Sequence, residues 1–185
     1  MEALDALLNR VSVARLTDPA PNEAQREALF QAALRAPDHG QLRPWRFLTI
    51  EGQGREKLGE LFAEAVQAKG EASQAALDKA RAMPLRAPLL IVVIARLQDH
   101  FKVPKSEQRL AAACAAHGIL IAAHAQGVGA MWRTGDLSFD AHVQRGLGLA
   151  QNEELLGFLY VGTPISEPRT APVLATADFV NAWGE

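Results

Sequence analysis

Arg35-Ala-Pro-Asp-His-Gly-Gln-Leu-Arg-Pro-Trp45 is the stretch on which the reading of this chain turns. An Ala/Leu-rich helical pattern precedes it and an apolar run, Phe47-Leu-Thr-Ile50, follows. A proline disfavours helical geometry in the residue before it, so Pro37 ends the helix near Arg35. Asp38 and Gly40 are turn residues, and Pro44 stiffens the exit. The stretch therefore reads as a helix that stops, turns and becomes a strand. Arg35, His39, Gln41 and Arg43 crowd this turn beside Trp45. Two readings fit: a corner of solvated polar groups, or a site for a planar, polar-edged, anionic ligand.

Working outward, the upstream helix starts at Asn22, an N-cap with Gln25 as its capping-box partner. Before it, residues 2–9 form a short helix striped by Ala3, Leu4, Leu7 and Leu8. It runs into Arg10-Val-Ser12, where Arg10 and Ser12 can hydrogen-bond an anion. Basic residues at a helix C-terminus are the plainer explanation. Downstream, Trp45–Glu51 is a strand broken by Gly52 and Gly54. Residues 55–68 are amphipathic, and 72–83 form a weaker helix. Leu89–Ala95 is apolar on both faces, as a central strand covered by helices on both sides must be. Lys102 and Lys105 lie in the polar loop after it, either as solvated lysines or as partners for a 2′-phosphate.

Residues 106–125 make a long, alanine-rich central helix, whose small side chains allow close approach of another helix. It is expected to form part of a dimer interface, with a buried core helix as the alternative. Gly127–Arg133 ends that helix and begins a strand, residues 138–147 are a short helix, and 154–162 are the last strand. The tail from Thr163 has no period but carries Val173, Leu174, Phe179, Val180 and Trp183, apolar surface that should pack on something.

Bulk properties exclude several classes. The chain has 185 residues, 49% hydrophobic and 22% charged, enough for a single domain over residues 1–185. A net charge of -2 argues against general nucleic-acid binding. The longest unbroken aliphatic run, Leu89–Ala95, is far too short to span a membrane. No secretory signal is read at the N-terminus, and the one cysteine, Cys114, allows no intrachain disulfide. A cytoplasmic protein is expected. Cys114 is expected to be a buried, inert thiol among alanines. No P-loop, dinucleotide fingerprint or Gly-x-Ser-x-Gly elbow occurs. His117 and His124 lie seven residues apart, about 10 Å along a helix, too far to share a metal ion. No metal site is expected.

Three dispersed segments remain: Arg10–Ser12, Arg35–Trp45 and Met131–Arg133. In order and spacing they resemble motifs of the nitroreductase family, and the Arg-Ala-Pro-Asp-His form is similar to its small YdjA-type subgroup. The likeness runs from about Leu4 to Thr163. It implies an α+β nitroreductase-like fold: a central mixed β-sheet flanked by helices, a long central helix and an extended C-terminal tail, in a homodimer. It implies FMN at the subunit interface, with residues from both chains. Arg10, Val11 and Ser12 then correspond to the segment that holds the phosphate and ribityl end, Val11 standing where relatives carry a second arginine. Arg35 and His39 correspond to turn residues that contact the flavin, and Met131, Trp132 and Arg133 to the late FMN segment. Arg43 replaces a glutamine common in relatives. Ile121, Ala122, Ala123, His124, Ala125 and Gln126 resemble a stretch that serves the nicotinamide nucleotide, although alanines there fit packing equally well.

The activity implied is an FMN-dependent NAD(P)H oxidoreductase, passing two electrons by a ping-pong mechanism to a nitroaromatic, quinone or similar acceptor. The chemistry resides in the flavin, so no catalytic side chain is expected. Another flavin chemistry, such as dehydrogenation, and a non-catalytic carrier or regulatory dimer are the alternatives.

Overall fold

The computed structural model describes residues 1–184. Helices α1 (Ala3–Asn9), α2 (Glu23–Ala33), α3 (Gln53–Ala68), α4 (Gln74–Ala82), α5 (Lys105–Ala125) and α6 (Ala141–Gly146) surround five strands. The strands are β1 (Leu16–Thr17), β2 (Trp45–Glu51), β3 (Leu89–Arg96), β4 (Gly129–Arg133) and β5 (Glu153–Pro164). β3 lies between β2 and β5, and β5 also pairs with β1 and β4. Where the sequence reading expects a mixed sheet, all four pairings of this α+β fold are antiparallel.

β3 shows why the sheet sits at the centre. Leu89 to Ala95 are all fully buried. Leu89, Ile91, Val93 and Ala95 pack with α2 and α5 on one face, while Leu90, Val92 and Ile94 pack with α3 on the other. Each strand residue therefore serves one of two apolar layers, as the period of two requires. The long helix α5 is pressed tightly onto α2: a Cβ at Gly118 would sit 2.9 Å from the carbonyl oxygen of Ala32. Asn22 and Gln25 form the expected capping box.

Several expectations need correction. Gly54 does not interrupt; α3 already begins at Gln53, because Gly52 makes the turn at φ +53°. The short helix read over 138–147 is a 3-10 turn (Asp136–Ser138) followed by α6, with Asp140 capping the amides of His142 and Val143. β5 continues to Pro164, so the tail starts later than Thr163. Cys114 is exposed, not buried. Ala111, Ala112, Ala115, Ala116 and Ala123 of α5 point inward and leave Leu110, Cys114 and His117 on its outer face. Among the described residues of this one copy, the tail's Val173, Leu174, Phe179, Val180 and Trp183 stand 65–101% exposed, leaving their apolar surface available to a partner subunit. Among the described residues no helix is long and apolar enough to cross a membrane.

Candidate functional site

The turn that ends α2 is tightly specified. Gly40, Gln41 and Arg43 have φ of 74°, 53° and 51°. Non-glycine residues in that region cost about 1–3 kcal/mol each and persist only where the surroundings over-determine them. Asp38 does so here: its carboxylate accepts the amides of Leu42 (3.0 Å) and Arg43 (2.9 Å) and binds the Arg43 guanidinium at 2.6 Å. Arg43 is thereby committed to the turn. His39 leans across to the first turn of α5, its Nδ1 2.6 Å from Oε2 of Glu107. Arg35 is exposed, its side chain with no hydrogen bond or ion pair to any described residue. Lys105 pairs with Asp99 at 2.9 Å, leaving Lys102 as the free lysine of that loop.

Arg10–Ser12 lies at the opposite end of α5. The chain beyond it runs beside β4: the Val13 amide donates to the Ala130 carbonyl (3.0 Å), and Arg133 Nη2 donates to the Ala14 carbonyl (3.4 Å). Arg10, Val11, Val13, His124 and Ala130 line a cleft of about 220 Å³ there. Val11 is 7% exposed and serves as a core residue, so it offers a ligand only backbone. The Arg10 and Ser12 side chains are uncommitted among the described residues, as is the buried Nε2 of His124.

Met131 to Arg133 line a second cleft, about 460 Å³, on the α3 and α4 side of the sheet. Lys79, Arg86, Ser138 and Tyr160 complete it. The Arg133 guanidinium carbon stands 5.2 Å from the centroid of the Tyr160 ring, a cation–π arrangement. Burial pushes the Tyr160 hydroxyl pKa up, against the pull of Arg133 and Arg86. Buried Nε of Arg133 and Oγ of Ser138 have no partner among the described residues. Trp132 is placed differently from its neighbours: its Nε1 donates to the Leu156 carbonyl at 3.1 Å, so the indole holds β4 to β5.

Of Ile121–Gln126, Ala123 is buried in the core and Gln126 donates to the Ala122 carbonyl at 3.0 Å. His124 presents a buried Nε2 with no partner among the described residues. The predicted residues thus form two groups. Arg10 and Ser12 lie near the C-terminal end of α5, and Met131–Arg133 lie in the adjoining strand, linked to the same segment where Arg133 reaches the Ala14 carbonyl, but line the separate cleft on the α3 and α4 side. His39 meets Glu107 near the N-terminal end of α5, Arg35 follows the end of α2, which packs against α5 at Gly118, and Glu107 and His124 are about 26 Å apart along the helix. Sequence reasoning missed Glu107, which is 68 residues from His39. It also missed Lys79 and Arg86, on helical turns with no motif of their own. Among the described residues no group of three His, Cys, Asp or Glu could hold a metal.

This geometry fits an elongated anionic ligand: unpaired arginines, a buried unpartnered guanidinium nitrogen and apolar clefts with few polar groups. Comparison with known proteins identifies the lineage. The nitroreductase family signature matches residues 7–163. The chain is 43% identical over 164 residues to the Escherichia coli K12 protein named "Putative NAD(P)H nitroreductase YdjA", covering 89% of each. A Haemophilus influenzae protein with the same description, without the final symbol, is 37% identical over 97% of this chain and 98% of its own. Among solved structures, a nitroreductase-like family protein from Bacillus cereus superposes with a TM-score of 0.85 at 21% identity, covering 100% of this chain and 97% of that one. A variant of NfnB, described as an FMN- and NADPH-dependent nitroreductase, superposes at 0.78 and 17% identity over 100% of both chains. The family match spans most of the sequence, and the fold agrees with it throughout; this chain belongs to the nitroreductase family of oxidoreductases.

Proposed function

We propose that the chain is an FMN-dependent NAD(P)H oxidoreductase that works as a homodimer. It takes two electrons from NADH or NADPH, releases the oxidised nucleotide, and passes the electrons to a nitroaromatic, quinone or similar acceptor in a second, separate half-reaction. Bound flavin supplies the redox chemistry; the chain supplies binding, orientation and charge. Arg10 and Ser12, with the backbone at Val11, hold the phosphate end. Arg133 and the β4 backbone at Met131 and Trp132 stand along the ring, where guanidinium groups stabilise negative charge gained on reduction. Arg35 and His39 contact the same cofactor from a second copy. His124, within Ile121–Gln126, faces the nicotinamide nucleotide.

The observation that carries this reading is the separation of the two residue groups along α5. Two copies whose α5 helices pack antiparallel bring the Arg35–His39 end of one beside the Arg10–Arg133 end of the other. The outer face of α5 suits such packing, with Leu110, Cys114 and His117 exposed in a stripe, and so do the exposed Leu4, Leu7 and Leu8 of α1. A closed two-fold pairing of this kind makes two equivalent sites.

Complementation tests it. Arg10→Ala and Arg35→Ala are each expected to lose bound FMN. Unfolding and refolding the two together forms mixed dimers in which one site has both arginines, so flavin content recovers. No recovery, with dimers shown to have exchanged, contradicts a shared site.

A further inference from the structure

We propose that His39 is the proton donor of the acceptor half-reaction and that Glu107 is its positioning residue; this rests on the shared flavin site argued above.

The stoichiometry asks for a donor. Reducing a quinone to its hydroquinone adds a hydride equivalent and one proton. Reducing a nitro group to nitroso and water also consumes a hydride equivalent and one proton. NAD(P)H supplies the hydride equivalent through the flavin, and the remaining proton must come from a group at the site or from water. Among the predicted cofactor contacts, the titratable side chain of His39 is both exposed and held from behind by Glu107.

Three separate segments hold it. The turn is fixed by Asp38, as described. The loop over 98–103 is docked onto that turn: Gln98 Nε2 donates to the Leu42 carbonyl (3.3 Å), and Val103, 2% exposed, lies under Gly40. Gln108, 1% exposed, locks the loop by donating to the carbonyls of Gln98 (2.9 Å) and Val103 (3.2 Å). Glu107 then reaches His39 from the first turn of α5, where the helix dipole favours a carboxylate.

The other carboxylates around His39 are already engaged. Asp38 binds Arg43, and Asp99 binds Lys105. His100 accepts the amides of Lys102 and Val103 with Nδ1. Arg35 and Lys102 are free cations and give His39 no acceptor. Glu107 is the one carboxylate that meets it.

A carboxylate only accepts hydrogen bonds, so Nδ1 of His39 must carry a proton toward Glu107. Nε2 is then the nitrogen left for the ligand, half exposed and without a partner among the described residues. When protonated, Nε2 delivers its proton to the acceptor oxygen as the hydride arrives. The neutral ring, still fixed through Nδ1, recovers a proton from water. A carboxylate that fixes tautomer and orientation in this way is how positioned histidines act as acids.

The test is single-turnover oxidation of the reduced holoprotein by benzoquinone, followed as a function of pH. Wild-type oxidation is expected to slow as pH rises. His39→Gln should be about 10²-fold slower at low pH and lose the pH dependence. Glu107→Gln, which no longer obliges Nδ1 to carry the proton, should be slower while still binding FMN. Imidazole ¹⁵N spectra of the flavin-free protein give an independent reading: His39 protonated at Nδ1 in wild type, and not fixed there in Glu107→Gln. An unchanged rate and pH profile in either variant overturns the proposal, as does a wild-type His39 whose neutral form carries its proton on Nε2. If His39→Gln holds no FMN, the Glu107→Gln rate and the spectra decide. Wild-type protein that takes up no FMN overturns the flavin reading itself, which is a separate failure.

Discussion

Replacing Gly157 by alanine is expected to unseat β4 and the candidate cofactor site with it. Gly157 has φ +137°, and the β3–β5 register shifts beside it, Val93 facing Gly157 and Ile94 facing Leu155. That shift is a bulge, and it brings the Leu156 carbonyl to the Trp132 indole. A Cβ at 157 would lie 2.4 Å from Trp132 Nε1, 2.8 Å from the Arg133 carbonyl oxygen and 3.0 Å from Thr134 Cγ2. Two of these atoms belong to the segment predicted to hold the flavin, and one is backbone that cannot swing aside. Forcing a non-glycine residue into that conformation costs about 1–3 kcal/mol, and overpacking costs a further ~1–3 kcal/mol. For a chain of this size each kcal/mol lowers Tm by about 2–4 °C, so the melting temperature should fall by at least ~4 °C. Flavin content of the folded fraction should fall as well, because the strain is placed on Trp132 and Arg133. Differential scanning calorimetry and the absorbance ratio of flavin to protein measure the two effects. A variant that melts within a degree of wild type refutes the claim that this close approach is structural.

Two other outcomes are expected. Because Val11 is buried, Arg10 is the arginine of its segment left for the phosphate; Arg10→Ala should lose a charge-assisted hydrogen bond of about 1.5–3 kcal/mol. That weakens FMN binding by roughly 10- to 100-fold, measurable by flavin fluorescence titration, and an unchanged Kd removes Arg10 from the phosphate site. Stability should also fall in acid: hydrogen bonds from Arg46 hold the Glu153 carboxyl pKa below its usual value. A depressed folded-state pKa contributes stability that is full above the ordinary glutamate value and lost as pH falls through the depressed one. Glu153→Gln should therefore flatten the acid limb of a Tm-against-pH curve, and an identical limb in the variant rules this pair out as a contributor.

Elements with strong local signals were legible in the sequence. The double-faced apolar run of β3, the capping box of α2 and the Pro37 stop each follow from residues a few positions apart. The short segment after β4 was harder, since Asp136–Ser138 and α6 divide what reads as one pattern. Cys114 was misread because an alanine-rich helix looks uniformly buried, whereas only the face toward α2 and the sheet is covered. The candidate site was readable only as a set of residue types, not as an arrangement. Nothing near His39 in sequence announces Glu107, and nothing near Arg133 announces Lys79, Arg86 or Tyr160, which fold brings from other elements. Val11 shows the converse: its position in the motif points to the ligand, and its apolar side chain turns into the core.

The central claim, that this chain binds FMN and reduces it with a nicotinamide nucleotide, is tested most directly by the visible absorption spectrum. The purified protein, soaked in FMN and freed of excess, is scanned before and after anaerobic addition of NADPH and then NADH. The account predicts flavin bands that bleach with one or both nucleotides and return when benzoquinone is added. Bands that persist with both nucleotides, or a protein that retains no flavin, contradict it.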